Sequence, residues 1–324
     1  MKTNLVLLLN QIPHWEPLKI GVVSEKAMFQ LSPKLLNGLR VGILKMHYLI
    51  NVWYSLENNK LNVESFANCT PHWHAILKKQ FWIGTMNKWQ KFDQFSATNQ
   101  INLTFYNVNF LLFLQVSVSS VDIQRCENDD GLLGIASPCA LIRDNPPTAG
   151  QLSLCAMNRR WTSFQAVEDF FRHEILHALG FGLINPKKRL TSSREFQWTD
   201  ASGSQQVTAV YMDFQDNAVI AARNHFKCQN LRGVEADDED RIHLNEYIYG
   251  NELMTPILSN GKNYFTKISA SILEATRNGK KQWYKTNESL VLAETKAYWY
   301  GRKWGCVFAE SSCYDYINSQ INNG

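Results

Sequence analysis

The segment His173-Glu174-Ile175-Leu176-His177 constrains this chain more than any other. Two histidines four residues apart project from one face of a helix, about one turn from each other. That spacing lets both imidazoles reach one zinc ion, with the carboxylate of Glu174 beside them, within reach of a water on the metal. The surrounding residues support a helix. Thr162 and Gln165 have the form of a capping box. Phe164, Val167, Phe170, Phe171, Ile175, Leu176 and Leu179 recur at helical spacing, and Gly180 is placed to end the helix. A catalytic zinc site needs a third protein ligand and an open fourth position. The other histidines are His14, His47, His72, His74, His225 and His243. His47 lies on the apolar face of a predicted helix and reads as core, and His72-Trp73-His74 lies in a Pro-flanked loop. His225 and His243 both follow the motif at a distance that a loop insertion can bridge.

The remainder of the chain reads as α+β. Lys19 to Val23 is a predicted strand, and Leu35 to Tyr54 a long helix with Leu36, Leu39, Val41, Leu44, Tyr48 and Val52 at helical spacing. Asn102 to Ser119 reads as a central strand, and the segments from Gly131 to Pro138 and from Ala149 to Met157 as two more. Residues from Ile184 to Asn251 are polar and loop-rich, and Asp237-Asp238-Glu239-Asp240 reads as a solvated face. From Thr255 onward, helix-like spacing returns with Trp283, Trp299 and Trp304. Apolar residues make up 45% and charged residues 19%, a globular balance. The net charge of +4 comes without a basic block, which argues against nucleic acid as a partner. No apolar run approaches the ~18–20 residues of a membrane helix. Met1-Lys2 followed by Leu5 to Leu9 looks like the start of a signal peptide whose apolar core is shorter than the usual ~7–15 residues.

Seven cysteines are present, none in a C-x-x-C pair, so a thiolate zinc ribbon is not expected. Together with the sequons at Asn68, Asn102 and Asn287 they favour an extracellular or membrane-associated setting, with a cytoplasmic protein holding free thiols as the alternative.

His173 to His177, continued by Ala178-Leu179-Gly180-Phe181, resembles the zinc-binding helix of the leishmanolysin (peptidase M8) metalloproteases, which are metzincins with a long insertion before their third histidine. The likeness extends to Gly134-Ile135-Ala136-Ser137-Pro138-Cys139, to the segment Pro146 to Cys155, to Ala222 through Cys228 with Gly233-Val234-Glu235, and to Gly250-Asn251-Glu252-Leu253-Met254-Thr255. Trp304-Gly305-Cys306 and Cys313 resemble the family's C-terminal cysteine pattern. The resemblance is convincing from about residue 110 to 313. It implies a metzincin-like catalytic domain with a twisted mixed sheet, one Zn²⁺ per chain held by His173, His177 and His243, and Met254 as the Met-turn floor. It also implies a Cys228–Cys306 disulfide. Cys69, Cys126, Cys139 and Cys155 would then form two further bridges in one of three connectivities. Cys313 would be left free, its family partner lying beyond Gly324, as in a shortened form without pro-segment or distal C-terminal part. Leu244-Asn245-Glu246 departs from the Trp-Glu that usually follows the family's third histidine.

The implied activity is zinc-dependent endopeptidase hydrolysis of protein or peptide substrates. Glu174 acts as general base on a zinc-bound water, and the substrate lies extended along the strand near Gly131 to Ser137. No oligomer is implied, and membrane association belongs to a longer form. The alternative from another class is a non-catalytic surface or adhesion protein that keeps the fold. The intact Glu174 argues against it. The expected divisions are an N-terminal catalytic part over 1–181, an insertion over 182–255 and an incomplete C-terminal part over 256–324.

Overall fold

The computed structural model describes residues 14–24, 31–54, 69, 80–85, 88–93, 108–116, 124, 126, 128, 131–141, 145–156, 161, 163–184, 193–212, 216–237, 240–277 and 279–323. Leu5 to Leu9, the sequons at Asn68 and Asn102, the His72–His74 pair, Thr162, Asp238 and Glu239 lie outside them. The chain forms two units. One comprises residues 1–180 and 277–287, the other residues 181–276 and 288–324.

The first unit holds a six-stranded mixed sheet. Its strands are β2 (Ile20–Ser24), β4 (Gln80–Thr85), β5 (Lys88–Asp93), β6 (Phe110–Val116), β7 (Gly134–Ala140) and β8 (Ala149–Leu154), in the order β5-β4-β2-β6-β8-β7. β6 is parallel to β2 and β8, with Leu112 opposite both Val22 and Gly150. Its sequence FLLFLQV is almost continuously apolar because it is central and covered on both faces. β7 runs antiparallel to β8 at the sheet edge, with a register shift between Pro138 and Ala140. An edge strand tolerates proline, whose missing N–H breaks no ladder there. A second sheet pairs β1 (His14–Pro17) and β11 (Tyr284–Thr286) with the central β3 (Ile50–Tyr54).

The long predicted helix is shorter than expected. α1 spans Pro33–Leu49, begins at Ser32, whose Oγ accepts from the Leu35 N–H, and carries proline at its first position. Ile50 to Tyr54 instead form β3, because this β-branched and aromatic stretch finds partners in Trp15 and Tyr284. The buried face also differs from the expectation. Leu35, Leu39, Ile43 and Met46 are buried, whereas Leu44 and Tyr48 are exposed. Gly38 and Gly42 determine that face: a Cβ at either would meet Val167 or Phe171 of the helix α2 (Phe164–Ala178) at 2.4 and 3.1 Å. The two helices therefore approach closely enough to bury α2 almost completely.

The second unit replaces the expected loop with structure. β9 (Arg194–Asp200) and β10 (Gly203–Ala209) form a hairpin, followed by α3 (Asp216–Phe226) and the single turn α4 (Glu246–Tyr249). Apart from Phe196 and Trp198 on one face of β9, the two strands are mostly polar and exposed, which hides this hairpin from hydrophobic patterning. α5 (Lys267–Ala275), α6 (Glu288–Ala297), α7 (Gly305–Glu310) and α8 (Cys313–Asn323) complete the unit. Its core is aromatic: Phe226 and Tyr247 pack on Phe308, and Trp304 stacks on Tyr316 at 5.7 Å. Cys228 is bonded to Cys306 within it. Cys69–Cys139 and Cys126–Cys155 are the other two bridges, one of the three connectivities left open, and Cys313 is free and exposed. Among the described residues no helix is long and apolar enough to cross a membrane.

Candidate metal centre

α2 is capped by Ser163, whose Oγ accepts from the Ala166 N–H at 3.0 Å. Gln165 does not reach back to the cap. Its amide donates to Asp169 and Glu168. Every residue from Val167 to Ala178 is buried, the charged ones included. Asp169 pairs with Arg172 at 3.3 Å, and Glu168 takes the ammonium of Lys45 from α1. Buried charges tolerate such a site only when paired, so these pairs let the helix sit between α1 and strands β7 and β8. Gly180, with φ of 101°, ends the helical run as expected.

The Nε2 atoms of His173 and His177 lie 2.9 Å apart, with ring centroids 4.6 Å apart. Two neutral imidazole nitrogens aimed at each other hold at most one proton between them. At least one lone pair therefore points into the shared space, and a cation satisfies both at once. The donors thus fit a metal that takes imidazole nitrogen. Glu174, next along the helix, is buried and accepts from the Ala136 N–H of β7. Burial pushes its carboxyl up to about 8, and that hydrogen bond offsets part of the rise.

His243 belongs to the second unit, on a stretch held by backbone pairing. The Asp237 N–H donates to the His243 carbonyl at 3.1 Å, Asn245 N–H to Glu235 at 3.0 Å, and Leu244 N–H to Met254 at 2.9 Å. His243 is half-buried and Met254 fully buried. Where the family usually has Trp-Glu, Leu244 is buried. Asn245 caps α4 by accepting from the Ile248 N–H and donates to Glu235 Oε1. His225 has a different setting. Its Nε2 faces the Tyr300 carbonyl at 2.7 Å, its ring stacks on Tyr298, and burial lowers its pKa. His47 contacts the Leu18 carbonyl through Nδ1 at 2.8 Å, as a structural histidine would. Cys228, Cys306 and Glu310 also cluster, but the two sulfurs are bonded to each other and offer no thiolate.

Nothing in the sequence signals that two carboxyls of the second unit, Glu252 and Glu235, have perturbed surroundings. Glu252 is fully buried and accepts from the N–H of Met254 at 2.7 Å and from the N–H and Oγ1 of Thr266 at 3.0 Å. Burial raises its carboxyl to about 7. Glu235 is raised to about 7 by the same cause. A buried carboxylate is visible only once the fold supplies its donors.

These features define an α+β protein in which a helix packed against a mixed sheet carries paired imidazole donors that could take a metal. The leishmanolysin sequence profile matches residues 97–322, and the chain belongs to that peptidase family. A leishmanolysin-like peptidase of Caenorhabditis elegans is 24% identical over 270 residues, covering 70% of this chain and 38% of the relative. The Drosophila melanogaster leishmanolysin-like peptidase is 26% identical over 261 residues, covering 65% of this chain and 35% of its own. Leishmanolysin of Leishmania amazonensis is 26% identical over 211 residues, covering 64% and 31%. The chain spans roughly a third of the length of these relatives.

Proposed function

We propose that this chain is a zinc-dependent metalloendopeptidase domain that hydrolyses peptide bonds within protein substrates. The observation that carries the reading is the facing Nε2 pair of His173 and His177, with Glu174 between them on one buried helix. In this reading His243 is the third ligand, joining His173 and His177 as the family resemblance implies. Three neutral imidazoles with an open position are the donor set of hydrolytic zinc. The engagement of His225 with Tyr300 and Tyr298 supports His243 over His225. Met254 serves as an apolar floor, consistent with its burial and its backbone link to Leu244.

Zinc, when bound, supplies Lewis acidity towards the scissile carbonyl and acidifies water. Glu174 takes the proton of the attacking water and passes it to the leaving amine. The substrate lies extended along β7, adding a strand at the sheet edge by main-chain pairing. Three disulfides favour an oxidising, extracytoplasmic setting. A digestion assay on casein with and without chelator, run beside metal analysis of the purified chain, tests the reading. Zinc-dependent cleavage is expected, and chelator-insensitive cleavage or none with zinc bound would count against it.

A further inference from the structure

We infer that Gly182 is a positioning residue for the proposed third ligand, because its missing side chain lets the backbone before His243 seat where it does. Gly182 lies five residues after His177 in the chain and adopts φ of 72°, a conformation L side chains rarely take. A Cβ there would stand 2.3 Å from the carbonyl oxygen of Ile242 and 2.9 Å from its C and Cα. The obstacle is main chain and has no rotamer through which to yield. Ile242 immediately precedes His243.

The stretch cannot slide away without breaking other bonds. His243 accepts from the Asp237 N–H at 3.1 Å, and Leu244 donates to the Met254 carbonyl at 2.9 Å. An antiparallel bridge joins Ala236 to Leu244. A side chain at 182 therefore has to open a gap of roughly 1 Å to reach van der Waals distance, and the movement falls on Ile242 and its neighbour His243. Displacements of that size at a ligand-bearing segment weaken metal binding, as loss of the groups that orient ligands does. The inference rests on the assignment of His243 as a ligand.

The test is zinc affinity of the full chain, by competition with a chromophoric chelator, for Gly182→Ala, Gly182→Asn and the control Gly261→Ala. At Gly261 the nearest atom to an added Cβ is Ser259 Oγ, 3.9 Å away. Asparagine tolerates the left-handed conformation better than alanine. It therefore isolates the clash and serves if the alanine variant does not fold. Both Gly182 variants are expected to bind zinc roughly 10–100-fold more weakly, with Gly261→Ala unchanged. On a His243→Ala background, Gly182→Asn should cause no further loss, because both act through one ligand. Wild-type zinc affinity in folded Gly182 variants, with affinity lost in His243→Ala, overturns the inference and leaves the ligand assignment standing. An equal further loss on the His243→Ala background also overturns it, since the effect then runs through general stability. Full zinc affinity in His243→Ala instead removes the ligand assignment, and the inference with it.

Discussion

Tyr284 donates its phenolic hydrogen to the carbonyl of Leu179 at 2.7 Å, although the two residues are 105 apart in sequence. Both are buried, and Leu179 lies two residues beyond His177. The last turn of α2 leaves carbonyls without helical partners. One of these is satisfied by a strand that returns from far along the chain.

Tyr284→Phe removes that donor and leaves a buried carbonyl unsatisfied. A loss of about 1–3 kcal/mol in unfolding free energy is expected, read as a lower denaturation midpoint at unchanged slope. An unchanged midpoint would show that the carbonyl finds another donor.

Glu174→Gln keeps the shape of the side chain and removes the base. Bound zinc should remain stoichiometric while turnover falls about 10²–10⁴-fold. Metal content and peptide cleavage measured on one preparation decide it, and near-normal cleavage by this variant contradicts the assigned role.

His243→Ala and His225→Ala should part company. The first is expected to reduce zinc affinity to the weak, still measurable level of two imidazoles and to abolish cleavage. The second should keep its zinc and lose thermal stability, because it empties the stack on Tyr298 and the contact with the Tyr300 carbonyl. Metal analysis and a melting curve on each variant separate the two roles.

The buried carboxyls set a pH dependence. Glu252 and Glu235 titrate near 7 when folded, against 4.5 as the ordinary value. Between these values the folded state binds more protons than the unfolded state, so stability falls as pH rises. Their contribution is fully present below about 4.5 and lost by passage through about 7. Glu252→Gln should flatten this decline in melting temperature across that window, and a decline as steep as wild type would remove Glu252 from the account.

Alkylation under denaturing, non-reducing conditions should label one thiol per chain, at Cys313, with Cys228 and Cys306 recovered as one linked peptide. Replacing both cysteines of that bridge by serine should cost about 4 kcal/mol for a loop of this length. Labelling at Cys228 or Cys306 would contradict the pairing.

The histidine-bearing helix is legible in the sequence because three independent signals coincide there: histidine spacing, apolar period and a terminal glycine. The cap lies one residue beyond Thr162, since threonine and serine are equally able to accept from a free N–H and only backbone geometry selects Ser163. The end of α1 differs from the expectation because Tyr48 and Val52 fit both a helix face and a strand; pairing with β1 and β11 decides it. The β9–β10 hairpin is hard to read because Phe196 and Trp198 are the main apolar residues of two otherwise polar strands that bury little. The hydrogen bonds of Glu252 to Thr266 and of Tyr284 to Leu179 are not legible locally, since these partners lie 14 and 105 residues away.

The return of residues 277–287 to the first unit also has a consequence for synthesis. A ribosome adds about 5–20 residues per second, so on the order of 5–20 s separates the emergence of Leu179 from that of Tyr284. Throughout that interval β3 lacks its β11 partner and the end of the histidine-bearing helix lacks its phenol. The first unit is thus translated nearly whole but completed only after the second has largely emerged, and a nascent chain stalled before residue 284 would present the histidine pair on an unfinished support.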